Sequence, residues 1–169
     1  NYSMTPANLL NGVPSKVAMA HTAQYAVGRL DVTLAEGTGT GGNIPDREGT
    51  TVSFSDLVLK AILIGNQTEV GWNFLPKGSD EKVIYDNEFE GSTGKTDSPW
   101  QVLALPSTPG AAVNIALEMV NNGTSFVGKN GQIIPKGATF YLTAPLNPNN
   151  VTNTTSVANP AVFMSDYYT

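Results

Sequence analysis

One imidazole, His21, serves a chain of 169 residues that has no cysteine. Any Ser-His-Asp site would have to use it as the base, and a Cys-His site is impossible. His21 sits in Met19-Ala-His-Thr-Ala23 at the start of a strand-like stretch, and no Gly-x-Ser-x-Gly elbow occurs to present a nucleophile. It reads as a structural or exposed histidine. Zinc needs several nitrogen or sulfur donors, and one histidine with carboxylates is a poor set. The 14 acidic residues always permit some pair able to act as acid and base on a glycosidic bond, so their number singles out none. Asp86, Glu88 and Glu90, spaced by two, offer oxygen ligands to calcium from one strand face. The Asp-x-Asp-x-Asp-Gly pattern is missing and Phe89 intervenes, so this is a solvated acidic loop. Gly37-Thr-Gly-Thr-Gly-Gly42 has the composition of a phosphate loop without its Gly-Lys-Ser/Thr ending and without a helix after it. It reads as a flexible connection. No catalytic, cofactor-binding or metal site is assigned, no cofactor is expected, and the chain is read as not an enzyme.

Aromatic residues offer a different chemistry. Trp72, Trp100, Tyr141, Tyr167 and Tyr168 are able to stack on sugar rings, although tryptophans in a β-sandwich more often fill the core. Asn-x-Ser/Thr triplets begin at Asn1, Asn66, Asn122, Asn150 and Asn153, which a chain this rich in Asn and Thr produces by chance.

The elements that must position any of these residues are strands. Hydrophobic residues make up 40% of the chain and charged residues only 14%, a balance suited to an extracellular β-sandwich with a Thr, Ser, Asn and Gly surface. The net charge of −5, with scattered Lys and Arg, supplies no basic face to neutralise phosphates, so no nucleic-acid partner is expected. No apolar run approaches the roughly 18 residues of a transmembrane helix. No secretory leader is evident, and the chain reads as mature, trimmed or never exported.

Residues 1–16 form a lead-in or linker, and residues 17–169 a single β-sandwich domain. In Ala26–Leu34, Leu30, Val32 and Leu34 alternate with Arg29, Asp31 and Thr33, a half-buried strand. Thr51–Phe54 is a short strand. Leu57-Val-Leu-Lys-Ala-Ile-Leu-Ile64 is nearly continuous in apolar residues and reads as a central strand buried on both faces, bounded by Gly65-Asn66. Gly71–Phe74 and Lys82–Tyr85 follow, split by a turn at Pro76–Asp80. Trp100–Leu105 and Val113–Val120 come next, the latter with Val113, Ile115, Leu117 and Met119 toward the core and Asn114, Ala116, Glu118 and Val120 opposite. Asn121-Asn-Gly-Thr124 is a turn. Gly128–Leu146 then supplies a turn, a short strand, a turn at Pro135-Lys-Gly137 and a strong strand over Ala138–Ala144 that is expected near the last strand, Val162–Thr169. The count is about seven to nine strands with Greek-key connections.

Asn121-Asn-Gly-Thr-Ser-Phe-Val-Gly-Lys-Asn-Gly-Gln-Ile-Ile-Pro-Lys-Gly-Ala-Thr-Phe-Tyr-Leu142 and Val162-Phe-Met-Ser-Asp-Tyr-Tyr-Thr169, with Phe54–Leu59 and Val70–Phe74, resemble the fimbrillin family, the pilin subunits of type V pili on Gram-negative anaerobes. The similarity runs over roughly residues 50–169. It implies an all-β, transthyretin-like Greek-key sandwich, exported as a lipoprotein across the outer membrane, matured by proteolysis and placed in a fimbrium at the cell surface. It also implies polymerisation by strand exchange, with other pilin subunits as partners in a homo- or heteropolymer and a host or bacterial surface receptor as a further partner.

The chain is short for the two domains of that family, and it stops where the family continues into further strands. The expectation is therefore a sandwich short of a terminal strand, completed from elsewhere. Its interaction residues are expected on the terminal edge strand: Val162, Phe163, Met164, Asp166 and Tyr168. The function expected is a structural pilin or fimbria-associated adhesin working by β-strand complementation. The alternative is a cell-surface carbohydrate-binding module, told apart by an exposed row of Trp and Tyr with a polar rim.

Overall fold

The run Leu57–Ile64 is apolar except for Lys60, so it is expected to lie between other strands. In a computed structural model of the chain, describing residues 26–35, 41–73, 75–89, 91–95, 97–147 and 161–164, it opens the central strand of the largest sheet. The strands are β1 (Gly28–Val32), β2 (Asn43–Pro45), β3 (Thr51–Ser53), β4 (Leu57–Val70) and β5 (Pro76–Asp86). They continue as β6 (Trp100–Ala104), β7 (Val113–Asn121), β8 (Phe126–Val127), β9 (Ile133–Ile134) and β10 (Thr139–Leu146). One 3-10 turn, Phe54–Asp56, leads into β4 and is the only helical element among the described residues. The protein is all-β, as its sequence predicts.

Four antiparallel strands in the order β10-β7-β4-β5 form the large layer. Over one face of it lies the antiparallel pair β1-β6, with Leu30 opposite Val102. The core between them is Leu30, Ile62, Ile64, Val102, Ala104, Val113, Val162 and Phe163. Period-two alternation produces it: Val113 and Met119 on β7 are each 1% exposed, while Asn114 faces solvent. Burying such a Val, Ile or Phe side chain contributes about 1.5–3 kcal/mol. Gln67, also buried, ties the layers by accepting the Leu105 N–H on Oε1 at 2.7 Å. Trp100 packs against Phe89 at 6.1 Å and joins the core, as expected for it. Its indole lies so close over Gly94, at φ +72°, that a side chain there would collide with the ring. The result is a sandwich-like fold whose two layers, among the described residues, are four strands and two strands wide.

Several sequence-based expectations are corrected. Gly65-Asn66 does not end β4; the strand runs on to Val70, and the irregular pairing with β5 between Ile64 and Gln67 absorbs the two residues. Asn66 takes φ 53°, a left-handed conformation that Asn tolerates. β4 is not covered on both faces either, since Val58 is 42% exposed. Gly71-Trp-Asn lies in the hairpin tip between β4 and β5, closed by the Gly71 N–H to the Leu75 carbonyl at 2.9 Å, and Pro76–Asp80 is strand. Residues 161–164 form no strand. The strand from Ala138 pairs with β7 on one side, and residues 165–169 of the last segment lie outside the described residues. The lead-in 1–16 and His21 lie outside the described residues.

Candidate functional site

The wide layer has two outer strands, β5 and β10, and they are built from opposite kinds of sequence. β10 reads Thr-Phe-Tyr-Leu-Thr-Ala-Pro-Leu, eight residues without a charge, in unbroken register with β7 from Thr139↔Val120 to Leu146↔Val113. Among the described residues no strand pairs with its other side. A straight, uncharged edge of this length presents a row of backbone N–H and C=O groups to any extended chain. Pro145 removes one donor near the end of the row. β5 carries Lys77, Glu81, Lys82 and Asp86, begins with Pro76, and is twice shifted in register against β4.

The inner face next to the β10 edge is also incomplete. Leu142 stands opposite Leu117 and Ala144 opposite Ile115, so both belong to the core face. At one end of that row Phe140 is covered by Phe126 of β8, the rings edge-to-face at 5.4 Å. At the other end Leu146 packs on the core. Between them Leu142 is 45% exposed, and Ala144 is exposed as well, because β1 and β6 do not reach over β10.

Two polar devices fix the approach to this edge. Asn121, fully buried at the end of β7, donates from Nδ2 to the carbonyls of Thr124 at 2.8 Å and Ile134 at 3.1 Å, and accepts the Gly123 N–H at 2.9 Å. Its backbone N–H donates to the Ala138 carbonyl at 3.1 Å, which sets where β10 begins. Asp46, in the turn between β2 and β3, accepts N–H groups from Val127 at 2.8 Å, Thr50 at 2.7 Å and Glu48 at 2.9 Å. The bond from Val127 is the largest of the effects that hold its carboxyl below the ordinary carboxylate value.

The residues expected to interact are placed differently. Val162 and Phe163 are 1% and 0% exposed and form part of the core. Phe163 is locked to the loop after β6, its N–H to Ser107 Oγ and its carbonyl to the Ser107 N–H, both 3.0 Å. In the described structure Val162 and Phe163 are therefore packing residues between the layers. Met164 is half-buried, and Asp166 and Tyr168 lie outside the described residues. Leu142 and Ala144, which line this edge, are marked by the sequence only as strand. The signal that marks them is the uncharged run Thr139–Leu146. Trp72, 95% exposed at its hairpin tip, and Tyr141, 53% exposed, are surface aromatics and not core; Tyr167 and Tyr168 lie outside the described residues.

Asp86 and Glu88 are joined only by the Glu88 N–H to Asp86 Oδ1, an ordinary turn contact. No group of three or more metal-binding side chains occurs among the described residues. No helix among them is long and apolar enough to cross a membrane. Compared with known proteins, the chain matches no family model, no curated protein and no solved structure.

Proposed function

We propose that the chain is a structural subunit of a fimbria-type polymer, assembled by β-strand complementation, in which an extended segment of a neighbouring subunit pairs with β10 and covers Leu142 and Ala144. The observation that carries this reading is the β10 edge: eight uncharged residues in regular register, unpaired on one side among the described residues, beside an uncovered apolar row. Strand addition draws affinity from main-chain hydrogen bonds and register from side-chain pockets, and this edge offers both. Thr139–Ala144 has the β-propensity and lack of charge that make an exposed edge prone to pairing, which a monomeric protein avoids and a polymer subunit needs. The resemblance to fimbrillins points the same way and brings with it a location in a fimbrium at the cell surface.

The test is self-association of the purified chain, followed by light scattering after size exclusion and by electron microscopy. Leu142→Lys places a charge on the partly exposed apolar row that the added strand would cover, where a folded monomer tolerates it. Association should weaken by at least about tenfold, the equivalent of 1.4 kcal/mol. The matched control is Val83→Lys on β5, 63% exposed in the native chain, which should leave association unchanged. Equal effects of the two substitutions would sink the proposal.

A further inference from the structure

The other face of the wide sheet, turned away from the core, carries a polar and aromatic group that strand addition does not use. Tyr141 of β10 stands opposite Glu118 of β7, and Tyr85 of β5 stands opposite Leu63 of β4, diagonal to Glu118. Both phenols lean toward the one carboxylate. Tyr141 Oη donates to Glu118 Oε2 at 3.0 Å, and Tyr85 Oη donates to Oε1 at 3.5 Å, the long limit of such a bond. The hydroxyls are thus anchored while each tyrosine stays 53% exposed. The Tyr141 hydroxyl is held protonated above its ordinary value of 10.0, first by its hydrogen bond to Glu118 and then by that carboxylate's charge.

Beside this trio the sheet sinks into a shallow cleft of about 450 Å³. Gly65 and Ala116 form its floor because they lack bulk at the middle of the sheet, and Val83, Thr143 and Pro145 stand around them. Asn114, exposed at the same spot, adds an amide, and Thr143 a hydroxyl.

We infer that this face is a binding site for a neutral oligosaccharide, with sugar rings laid on Tyr85 and Tyr141 and sugar hydroxyls bonded to Glu118 and Asn114. The chemistry selects that class. Two anchored aromatic rings offer apolar faces to the C–H side of a pyranose at little entropic cost. Each oxygen of a carboxylate has more than one lone pair, so Glu118 still accepts hydroxyl protons after binding both phenols. Glu118 and the net charge of −5 disfavour an anionic glycan or a phosphate. The groups stand around a shallow, open cleft and do not enclose a small ligand, which suits a chain of sugars over a single compact ion. The inference is independent of the assembly reading, because these side chains and Leu142 project from opposite faces of β10.

The test is titration of the Leu142→Lys chain, so that polymer formation does not interfere, with lactose and cello-oligosaccharides, with sialyllactose, and with choline chloride. The readouts are isothermal calorimetry and amide chemical-shift mapping. A neutral sugar should bind with Kd of about 1 mM or tighter and shift amides around Tyr85, Glu118, Asn114 and Tyr141. Tyr141→Ala should weaken it at least about tenfold, whereas Tyr141→Phe, which keeps the ring, should stay within about threefold of the parent. Trp72→Ala, at the remote hairpin tip, should change nothing. Binding of choline without sugar would make the trio a cation site and overturn the inference. So would an absence of sugar binding up to about 10 mM, or sugar binding that Tyr141→Ala leaves intact.

Discussion

Among the described residues β5 and β10 are the two outer strands of one sheet, and they are built in opposite ways. β5 has Lys77, Glu81, Lys82 and Asp86, a proline at its start and two breaks in register. These are the devices by which sheets discourage a further strand: charge costs desolvation, and a twisted ladder misaligns its donors. β10 has none of them except Pro145, and its ladder to β7 is continuous over all eight residues. Since both strands share one sheet, one core and one solvent, the difference lies in sequence alone. It teaches that one sheet carries the features that discourage a further strand on β5 and lacks most of them on β10.

The largest expected effect separates the edges from the core that supports them. Phe163, fully buried, was expected at the interaction edge, but its place in the core means that Phe163→Ala should act on stability. A loss of about 3–5 kcal/mol in denaturant unfolding is expected. If instead Phe163→Ala left stability intact and abolished assembly, the terminal segment and not β10 would be the contact.

A smaller effect sharpens the β5 side. Asn66 holds the irregular ladder in place, accepting the Asn114 N–H on Oδ1 at 2.8 Å and donating from Nδ2 to Glu81 at 3.1 Å. Asn66→Ala loses both bonds in a left-handed position that Ala dislikes, and should cost about 1–2 kcal/mol. Assembly should persist once folding is restored at lower temperature, because the β10 ladder does not involve Asn66.

The smallest effect is a pH dependence at the end of β8. Asp46 has a depressed pKa, so its contribution is fully present above its ordinary value of 3.8 and is lost as pH falls through the lower, folded value. Carbon-detected titration should find Asp46 protonating below 3.8, and Asp46→Asn should remove that part of the acid sensitivity. Protonation at or above 3.8 would show that the Val127, Thr50 and Glu48 amides do not hold the charge.

Much of this layout was legible in the residues. Period-two alternation marks the faces of β1 and β7, and the turn chemistry of Asn121–Thr124 marks the end of β7 and that of Pro135–Gly137 the start of β10. The misreadings share a cause. Gly65-Asn66 looks like a stop because local propensity cannot see a neighbouring strand able to carry a bulge. Val162-Phe163 looks like a strand because its apolar residues fit one, whereas hydrogen bonds to Ser107 turn it into a plug. Whether a strand lies at an edge is a property of its neighbours, so the openness of β10 was hidden although its lack of charge was in view. The cluster of Tyr85, Glu118 and Tyr141 was equally hidden, since it joins three strands separated by up to 56 positions in sequence (Tyr85 to Tyr141).

Residue-resolved amide hydrogen exchange, measured on the chain before and after assembly, tests the open edge most directly. Alternate β10 amides already bond to β7; the outward-facing ones should exchange quickly in the monomer. On assembly those outward amides of Thr139–Ala144 should become protected, while the free side of β5 keeps its monomer rates. New protection on β5, or assembly with no change along β10, would contradict the account.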